Sequence, residues 1–304
     1  MDRLEGMSLF VATIQAGSFS AASRGLGLPL PTVSRKVALL ESQLGTRLLV
    51  RSTRKLSLTD AGVTYLAACK RILEEVRDAE RAAAGEYSVP RGDVVLTAPV
   101  AFGRLHVLPI VCDFLALYPQ INVRLLLSDR NRDLIDDQID IAVRIGSLPD
   151  SSLVAVKVGE VAYVVCGSEG FLAEHGTPKA PTDLERTPCV GLEALGATPI
   201  WNFASHEHGA RSVHVQMRLA VNTAEAAIDA AVAGVGLVRV LSYQTARAIE
   251  SGSLRRVLRK YEPDPLPVHV MHTGRKPLAL KLRSFLDFAT PRLRQSLRPR
   301  AGYA

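Results

Sequence analysis

The sequence predicts a multidomain protein of the α + α/β class, with a small N-terminal winged helix-turn-helix domain, one long linker helix and a larger two-lobed α/β region. Three observations predict this architecture. Two short amphipathic segments joined by a Gly- and Pro-containing turn lead into a basic hairpin, a proline-free amphipathic stretch spans 61–86, and strand patterns then alternate with helical patterns. A chain of 304 residues is long enough for two or three domains, each with its own core.

Two helices are predicted before residue 27, because apolar residues recur there at helical spacing. The first packs beneath the helices that follow, and the second is short, with Ser18 or Ser20 able to cap its first turn. The apolar or small positions are Leu4, Met7, Phe10, Val11 and Ile14 in the first helix, and Phe19, Ala21, Ala22 and Leu26 in the second.

The third predicted helix begins near Leu30 or Pro31 and ends at Gly45. Proline fits the first turn of a helix because its missing N–H would have no partner there. Such a pair of helices, about 19–38, forms a helix-turn-helix, whose second helix enters the DNA major groove. The core face of the third helix carries Val33, Val37, Leu40 and Leu44, whereas Thr32, Ser34, Arg35 and Lys36 lie on or beside the opposite face.

A hairpin wing is predicted after the third helix, between the apolar runs 48–50 and 56–58. Its cationic tip suits phosphates or a narrow minor groove. Residues 1–59 hold eight Lys/Arg and three Asp/Glu, so a net charge of +5 out of the +7 of the whole chain lies in this segment. This distribution favours a polyanionic partner for the N-terminal domain.

The runs SFSAAS, TVSRKVALLESQLGTRLL, RSTRKLSLT and DAG within residues 1–62 resemble the winged helix-turn-helix domain of LysR-type transcriptional regulators. The length and layout of the whole chain also match that family. In the family the second helix of the motif usually begins with a serine cap, whereas this chain has Pro29-Leu30-Pro31. The resemblance implies a winged helix-turn-helix at 1–60, a linker and dimerisation helix at 61–89, and an effector-binding domain at 90–304.

We predict that one group of side chains enters or flanks the major groove, with Ser34 on phosphate and Arg35 near a base edge. The wing would hold the domain to DNA through its basic tip. The predicted DNA-binding residues are Ser20, Pro31, Thr32, Ser34, Arg35, Lys36, Arg51, Ser52, Thr53, Arg54 and Lys55.

The proline-free stretch 61–86 predicts one long amphipathic helix, in which apolar residues recur at steps of three and four. One interpretation is a surface helix packed on its own domain. The other, which the family resemblance implies, is a dimerising helix that holds two DNA-reading domains on two half-sites.

Beyond a linker at 87–92, strands alternate with helices, which predicts a mainly parallel α/β sheet. Strands are predicted at 93–97, 121–127, 139–145, 155–166, 189–192, 213–221, 236–240 and 268–272, and helices at 100–118 (interrupted by Pro109), 133–137, 224–233, 243–250 and 278–289. This two-lobed region resembles the effector-binding domain of the LysR-type family, which has the type 2 periplasmic-binding-protein fold. The resemblance implies that the chain crosses twice between lobes, so lobe I takes about 90–162 and 267–290 and lobe II about 163–266.

An effector site is predicted between the lobes, because ligands of open parallel sheets bind beyond the carboxyl ends of the strands, where helix N-termini offer free N–H groups. Four such places are 97–99, 144–147, 222–223 and 234–236, and Arg144 could bind a carboxylate bidentately. A small organic anion is therefore the favoured effector, although Arg144 could equally form a structural ion pair. The predicted effector-binding residues are Thr97, Ala98, Pro99, Arg144, Gly146, Ser147, Trp201, Asn222 and Thr223, of which Trp201 suits either a lobe core or a cleft wall.

No enzyme motif is found: the sequence has no GxSxG elbow, GxxxxGK loop or dinucleotide-type GxGxxG. His206-Glu207-His208 lacks a third nearby ligand, so no metal site is expected, and no cofactor or catalytic residue is assigned. The four cysteines are widely spaced in apolar sequence, which favours free thiols over disulfides. No charged-then-apolar leader and no uncharged run of membrane-spanning length occurs, so we expect a soluble cytoplasmic protein.

The sequence thus predicts a DNA-binding transcriptional regulator whose grip on DNA is modulated by a small molecule. The expected partners are double-stranded DNA, the effector and further copies of the chain, in the dimer of dimers that the family implies, with RNA polymerase a further candidate. Two alternatives remain at this point: an architectural DNA binder without an effector, and an α/β solute receptor or enzyme with an appended basic domain.

Overall fold

The computed structural model describes residues 2–51, 56–83, 89–130, 133–134, 137–148, 153–192, 199–204, 211–274 and 278–298. The chain forms two compact units, Met1–Val89 and Pro90–Ala304.

The first unit consists of four helices and a two-stranded antiparallel hairpin. Its elements are α1 Arg3–Gln15, α2 Phe19–Leu26, α3 Leu30–Leu44, β1 Leu49–Arg51, β2 Leu56–Leu58 and α4 Asp60–Ala83. The predicted order of three helices, hairpin and long helix is therefore observed.

Local polar groups define the helix ends of this unit. Of the two candidate serines, Ser18 caps α2, because its Oγ accepts a hydrogen bond of 3.1 Å from the Ala21 N–H. The third helix begins at Leu30 with Pro31 in its first turn and without a side-chain cap. Gly27 and Gly45 end α2 and α3 in the left-handed conformation, with φ of 65° and 66°, which glycine adopts without steric cost.

The core of the first unit lies between α1, α3 and the first half of α4. Phe10, Val33, Val37 and Leu40 are fully buried there, and Cys69 brings α4 into the same cluster. The first half of α4 thus belongs to the N-terminal domain.

Two five-stranded sheets, each with its own helices, make up the second unit. Sheet I has the order β4-β3-β5-β14-β6, and sheet II has the order β11-β8-β12-β7-β13. We call sheet I with its helices lobe I and sheet II with its helices lobe II. Lobe I comprises β3 Gly92–Ala98, α5 Val100–Phe102, α6 Leu108–Leu117, β4 Ile121–Leu127, β5 Ile141–Ile145, β6 Leu153–Val161, β14 Leu266–Thr273 and α10 Leu280–Ser296. Lobe II comprises β7 Tyr163–Gly167, α7 Glu169–His175, β8 Pro188–Leu192, the ribbon of β9 Ile200–Phe203 with β10 Arg211–His214, β11 Gln216–Val221, α8 Ala224–Val232, β12 Leu237–Leu241, α9 Ser242–Glu250 and β13 Arg255–Val257.

The sheets are mainly parallel in strand direction, as predicted, but each is mixed, because one of its five strands, β14 in sheet I and β7 in sheet II, runs against the other four. β3 pairs in parallel with β4 and β5, whereas β14 is antiparallel to both β5 and β6. In sheet II, β8 is parallel to β11 and β12, whereas β7 is antiparallel to β12 and β13. The antiparallel pairs arise because the chain enters and leaves lobe II on adjacent elements: β6 ends at Val161, and β7 begins at Tyr163 in the other sheet.

Three predicted elements differ from the observed ones. The single strand predicted at 213–221 is two strands in different sheets, divided at Val215, whose N–H bonds to the Pro199 carbonyl. The strand predicted at 155–166 is divided at the lobe crossing. The last helix continues through Pro291, because the residues on both sides of it, Ala289 and Leu293, are buried in lobe I. Ile135 and Asp136 of the helix predicted at 133–137 lie outside the described residues.

The helix that follows β3 also differs from its prediction, because Pro109 does not interrupt it. A π-helical segment, Gly103–Val107, joins α5 to α6 and Pro109 lies in the first turn of α6, where its missing N–H is tolerated. The stretch Val100–Leu117 is long and apolar enough to cross a membrane by length and composition alone. Its Phe102, Ile110 and Phe114 are instead buried in the core of lobe I, as in the core helix of a folded domain.

Candidate DNA-binding and effector-binding sites

The start of α3 presents polar side chains away from the core of the first unit. Arg35 and Pro31 are exposed, and Thr32 and Ser34 are partly exposed, whereas Val33 and Val37 on the opposite face are fully buried. Ser20 on α2 is exposed as well. The motif thus offers a hydroxyl- and cation-bearing edge on a rigid helical scaffold.

Lys36, one of the predicted DNA-binding residues, has a partner within the domain. Its Nζ forms an ion pair with the Glu5 carboxylate of α1, and the two side chains are 26% and 42% exposed. Lys36 therefore ties α3 to α1. No local sequence pattern indicates this pair, because the two residues are 31 positions apart.

The hairpin is attached to α3 through a carboxylate. Glu41 Oε1 accepts hydrogen bonds from the N–H groups of Leu48 and Leu49, at 2.8 and 3.0 Å. This fixes the first strand of the wing against the recognition helix. The wing tip, Ser52, Thr53, Arg54 and Lys55, lies outside the described residues, as does the side chain of Arg51.

The predicted effector residues of lobe I lie at the same edge of sheet I, because β3 and β5 are parallel neighbours. Thr97 and Ala98 are buried, however, and the Thr97 hydroxyl donates to the Leu126 carbonyl at 2.9 Å. Pro99 precedes the helix, whose first N–H, at Val100, already donates to Asp129 Oδ1 at 3.0 Å. This helix N-terminus is thus capped by the chain's own carboxylate.

The end of β5 carries the second predicted group. Arg144 is half-buried and lies in register with His269 of β14, and burial lowers the pKa of its guanidinium. Gly146 has φ of 102°, which favours glycine, and donates its N–H to the Pro267 carbonyl at 2.8 Å, while Ser147 is exposed.

The predicted residues of lobe II fall into two places. Asn222 and Thr223 are exposed at the start of α8, where the Thr223 Oγ1 accepts the Ala226 N–H as the helix cap. Trp201 is 7% exposed and packs with Phe203 and Val213, so it belongs to the lobe II core. From the sequence, this residue suited either a lobe core or a cleft wall.

Two contacts that sequence reasoning missed join the lobes beside these residues. Arg104 of the π-helical segment pairs with Glu225 in the first turn of α8, with 3.0 Å between Nη2 and Oε1. Tyr243 of α9 packs edge-on against Phe102, with ring centroids 5.3 Å apart, and lies 5.5 Å from the ring of His106. Burial raises the pKa of Tyr243.

The crossing point itself is held by backbone and hydroxyl groups. The Ser242 N–H donates to the Ala162 carbonyl at 2.7 Å, and the Ala162 N–H donates to the Ser242 Oγ at 3.3 Å. Leu241, the last residue of the lobe II strand β12, and Tyr243 of α9 pack against the core of lobe I. The junction of β12 and α9 therefore fixes how the lobes meet.

Among the residues that the structure describes, no three His, Cys, Asp or Glu side chains come close enough to hold a metal ion. His206-Glu207-His208 lies outside them.

Comparison with known proteins decides the family. Residues 4–63 match the model of the bacterial regulatory helix-turn-helix protein, lysR family, and residues 88–294 match the LysR substrate binding domain. The chain belongs to the LysR family. It is a LysR-type transcriptional regulator with a DNA-binding helix-turn-helix domain and an effector-binding domain.

Individual relatives are similar in sequence to this LysR-type regulator along almost the whole chain. An HTH-type transcriptional regulator of Xanthomonas campestris pv. campestris is 35% identical over 94% of this chain and 84% of its own length. The HTH-type transcriptional activator AaeR of Escherichia coli is 30% identical over 95% of this chain and 94% of its own length. The structure of CrgA, a LysR-type regulator from Neisseria meningitidis, matches with a TM-score of 0.61 and 30% identity over 97% of this chain and 99% of that chain. These relatives are named as regulators of transcription, which is a non-enzymatic, DNA-binding role.

Proposed function

We infer that this LysR-type regulator reads its operator through Arg35 and the start of α3, and that a small organic anion bound in the lobed domain alters this reading. The observation that carries the first half is the exposure of Arg35 on the helix face opposite to the buried Val33 and Val37. An arginine in that position can donate two hydrogen bonds to a guanine edge.

The anion is favoured by the cationic and N–H groups at the ends of β5 and α8, near residues 144–147 and 222–223. Such a ligand would change the arrangement of the lobes by binding one arrangement more tightly than another, because a ligand shifts an equilibrium only through different affinities for its states. The contacts between the lobes would transmit this change. Among solved structures with this fold, LysG of Corynebacterium glutamicum is described with a bound effector, Arg, at 17% identity.

The proposed assembly is a dimer formed through the linker helix at 61–89 and doubled to a tetramer. Val63 on α4 is 56% exposed although it is apolar, and the first turns of α4 also pack on the N-terminal domain. Pairing would place two reading domains on two half-sites. We further infer action in the cytoplasm, together with RNA polymerase.

The test is binding of the full-length protein to a duplex that contains the sequence upstream of its own gene, in competition with random duplex at moderate salt. The wild-type protein should prefer the upstream duplex. Arg35→Ala should reduce the difference in binding free energy between the two duplexes by about 1–3 kcal/mol. Lys36→Ala is the matched control, since its ammonium pairs with Glu5, and it should change the ratio less. An equal loss on both duplexes for Arg35→Ala would contradict the base-reading role.

The effector half is tested by repeating the titration with organic anions. An anion that tightens DNA binding should itself bind more tightly in the presence of the duplex, by the same factor. Absence of this reciprocity would contradict the coupling.

A further inference from the structure

Arg239, near the carboxyl end of β12, is a half-buried cation that lies over two aromatic rings. Its guanidinium carbon lies 4.2 Å from the centroid of the Tyr163 ring and 5.8 Å from that of Phe203. Its Nη2 donates to the Asn202 carbonyl at 3.0 Å. A guanidinium that contacts aromatic rings keeps its N–H groups as donors for an acceptor.

The guanidinium lacks a counter-charge in the part of the chain that the structure describes, where no Asp or Glu pairs with it. Burial lowers its pKa, which is the expected cost of removing a charge from water without a partner. A planar group with five N–H donors uses one of them on a carbonyl. Half-buried arginines are ordinarily paired, so the remaining N–H donors of Arg239 suit an added anion.

The position of Arg239 is suited to an effector that acts on the lobes. In the register of β12 with β7, Leu241 pairs with Tyr163, and Tyr163 follows the crossing residue Ala162 directly. Two residues beyond Arg239 the chain packs Leu241 and Tyr243 into the core of lobe I. A group bound at Arg239 would thus lie beside Tyr163, the residue that follows the crossing between the lobes.

We propose that Arg239, flanked by Tyr163 and Phe203, binds the carboxylate of the effector through its in-plane N–H groups. The inference rests on the proposed effector function and names its chemistry: a small carboxylic acid in its ionised form. Arg144, the residue that the sequence favours, engages other groups of the chain and lies in the other lobe. A carboxylate matches the two parallel donors of a guanidinium, whereas a neutral amide of the same shape lacks the charge that the site needs.

The experiment uses the single tryptophan of the full-length protein as the reporter. Trp201 directly precedes Asn202, whose carbonyl accepts from Arg239, and shares a core cluster with Phe203. Its fluorescence is titrated with acetate, succinate and benzoate, with benzamide as the neutral counterpart of benzoate and with inorganic phosphate as a different anion. At least one carboxylate should give a saturable change that benzamide does not give, and phosphate should bind at least tenfold more weakly than that carboxylate.

Variants assign the response to the site. Arg239→Gln should weaken the binding of that carboxylate at least tenfold. Arg239→Lys keeps the charge but loses the two parallel N–H donors, so its affinity should lie between those of the wild type and Arg239→Gln. Arg218→Gln, an exposed arginine on β11 of the same lobe, is the matched control and should bind as the wild type does. Circular dichroism at increasing temperature checks that every variant is folded.

Three results would overturn the proposal: no saturable response to any of the three carboxylates, equal binding of phosphate, or full affinity in folded Arg239→Gln. Binding to the upstream duplex is measured in the same samples without added anions. Retained DNA preference together with any of these results refutes the Arg239 site alone, whereas loss of DNA preference in the wild-type protein refutes the proposed function itself.

Discussion

The guanidinium of Arg104 in lobe I and the carboxylate of Glu225 in lobe II form an ion pair of 3.0 Å. The acid lies in the first turn of α8, where the partial positive charge of the helix end also favours it. Because it joins the two lobes through charge, this contact offers a direct measure of how ionic contacts hold them together.

The pair should contribute little to stability, because its side chains are 51% and 41% exposed. A double-mutant cycle with Arg104→Ala, Glu225→Ala and the double variant, read by urea unfolding, should give a coupling energy of about 0.2–1 kcal/mol. Raising the salt concentration should reduce this coupling. A coupling of zero at low salt would mean that the two groups do not pair in solution.

Replacement of Tyr243 should have a much larger effect than loss of the ion pair. Tyr243→Ala removes the ring that packs on Phe102 and His106, and we expect a loss of about 3–5 kcal/mol in the free energy of unfolding. Tyr243→Phe is the matched control, because the phenolic oxygen makes only a 3.4 Å hydrogen bond with Gln244 Nε2. A cost for Tyr243→Phe equal to that for Tyr243→Ala would show that the hydroxyl, and not the packing, matters.

Gly62 should tolerate no side chain. A Cβ at this position would lie 2.0 Å from the backbone oxygen of Leu48, so the start of α4 would have to move away from the wing. Gly62→Ala should cost about 1–3 kcal/mol, measured by urea unfolding. Gly25→Ala in α2 meets nothing within 4 Å and should instead stabilise the protein by about 0.5–1 kcal/mol. A neutral Gly62→Ala would contradict the close approach.

The four thiols should differ sharply in reactivity. Burial raises the pKa of Cys166 and Cys189 to about 12 and that of Cys69 to about 11, whereas Cys112 is exposed on α6. At pH 8 a maleimide should label the native protein rapidly at one position, and Cys112→Ser should abolish this fast phase. Rapid labelling of the Cys112→Ser variant would contradict the burial of the other three.

The same pKa values set a direction for stability at alkaline pH. The folded-state pKa of the buried thiols lies above the ordinary value of 9.0, so their contribution is complete below pH 9 and is lost as the pH rises toward 12. The unfolded chain ionises first and is thereby favoured. Cys166→Ala should reduce the decline in the unfolding free energy between pH 9 and pH 11 relative to the wild type.

Sequence patterns predicted the N-terminal unit well because its signals are local. Ser18, Pro31 and Gly45 mark helix ends through their own chemistry, and apolar residues every three or four positions mark the faces. The strand pattern of 213–221 was misleading, since alternation cannot show that the chain passes from one sheet to another at Val215. The last helix, predicted at 278–289, continues through Pro291 to Ser296, because tertiary packing of Ala289 and Leu293 outweighs the local cost of the proline.

The proposed effector-binding residue Arg239 was the least predictable part, for a physical reason. Asn202, whose carbonyl it contacts, is 37 positions away, and Tyr163 lies on a strand that pairs with β12 only after the whole lobe has folded. Strand ends and helix starts can be predicted from a sequence, and for this reason the sequence pattern favoured Arg144. A cation without a counter-ion becomes visible only when its surroundings are known.

The insertion of Leu241 and Tyr243 into the opposite lobe has a consequence for the ancestry of this domain. Replacement of either lobe by that of another protein would expose apolar surface on the lobe that remains. We therefore expect recombination to have kept the region from Pro90 onward together, whereas the N-terminal DNA-binding domain could be exchanged separately and so acquire new operators.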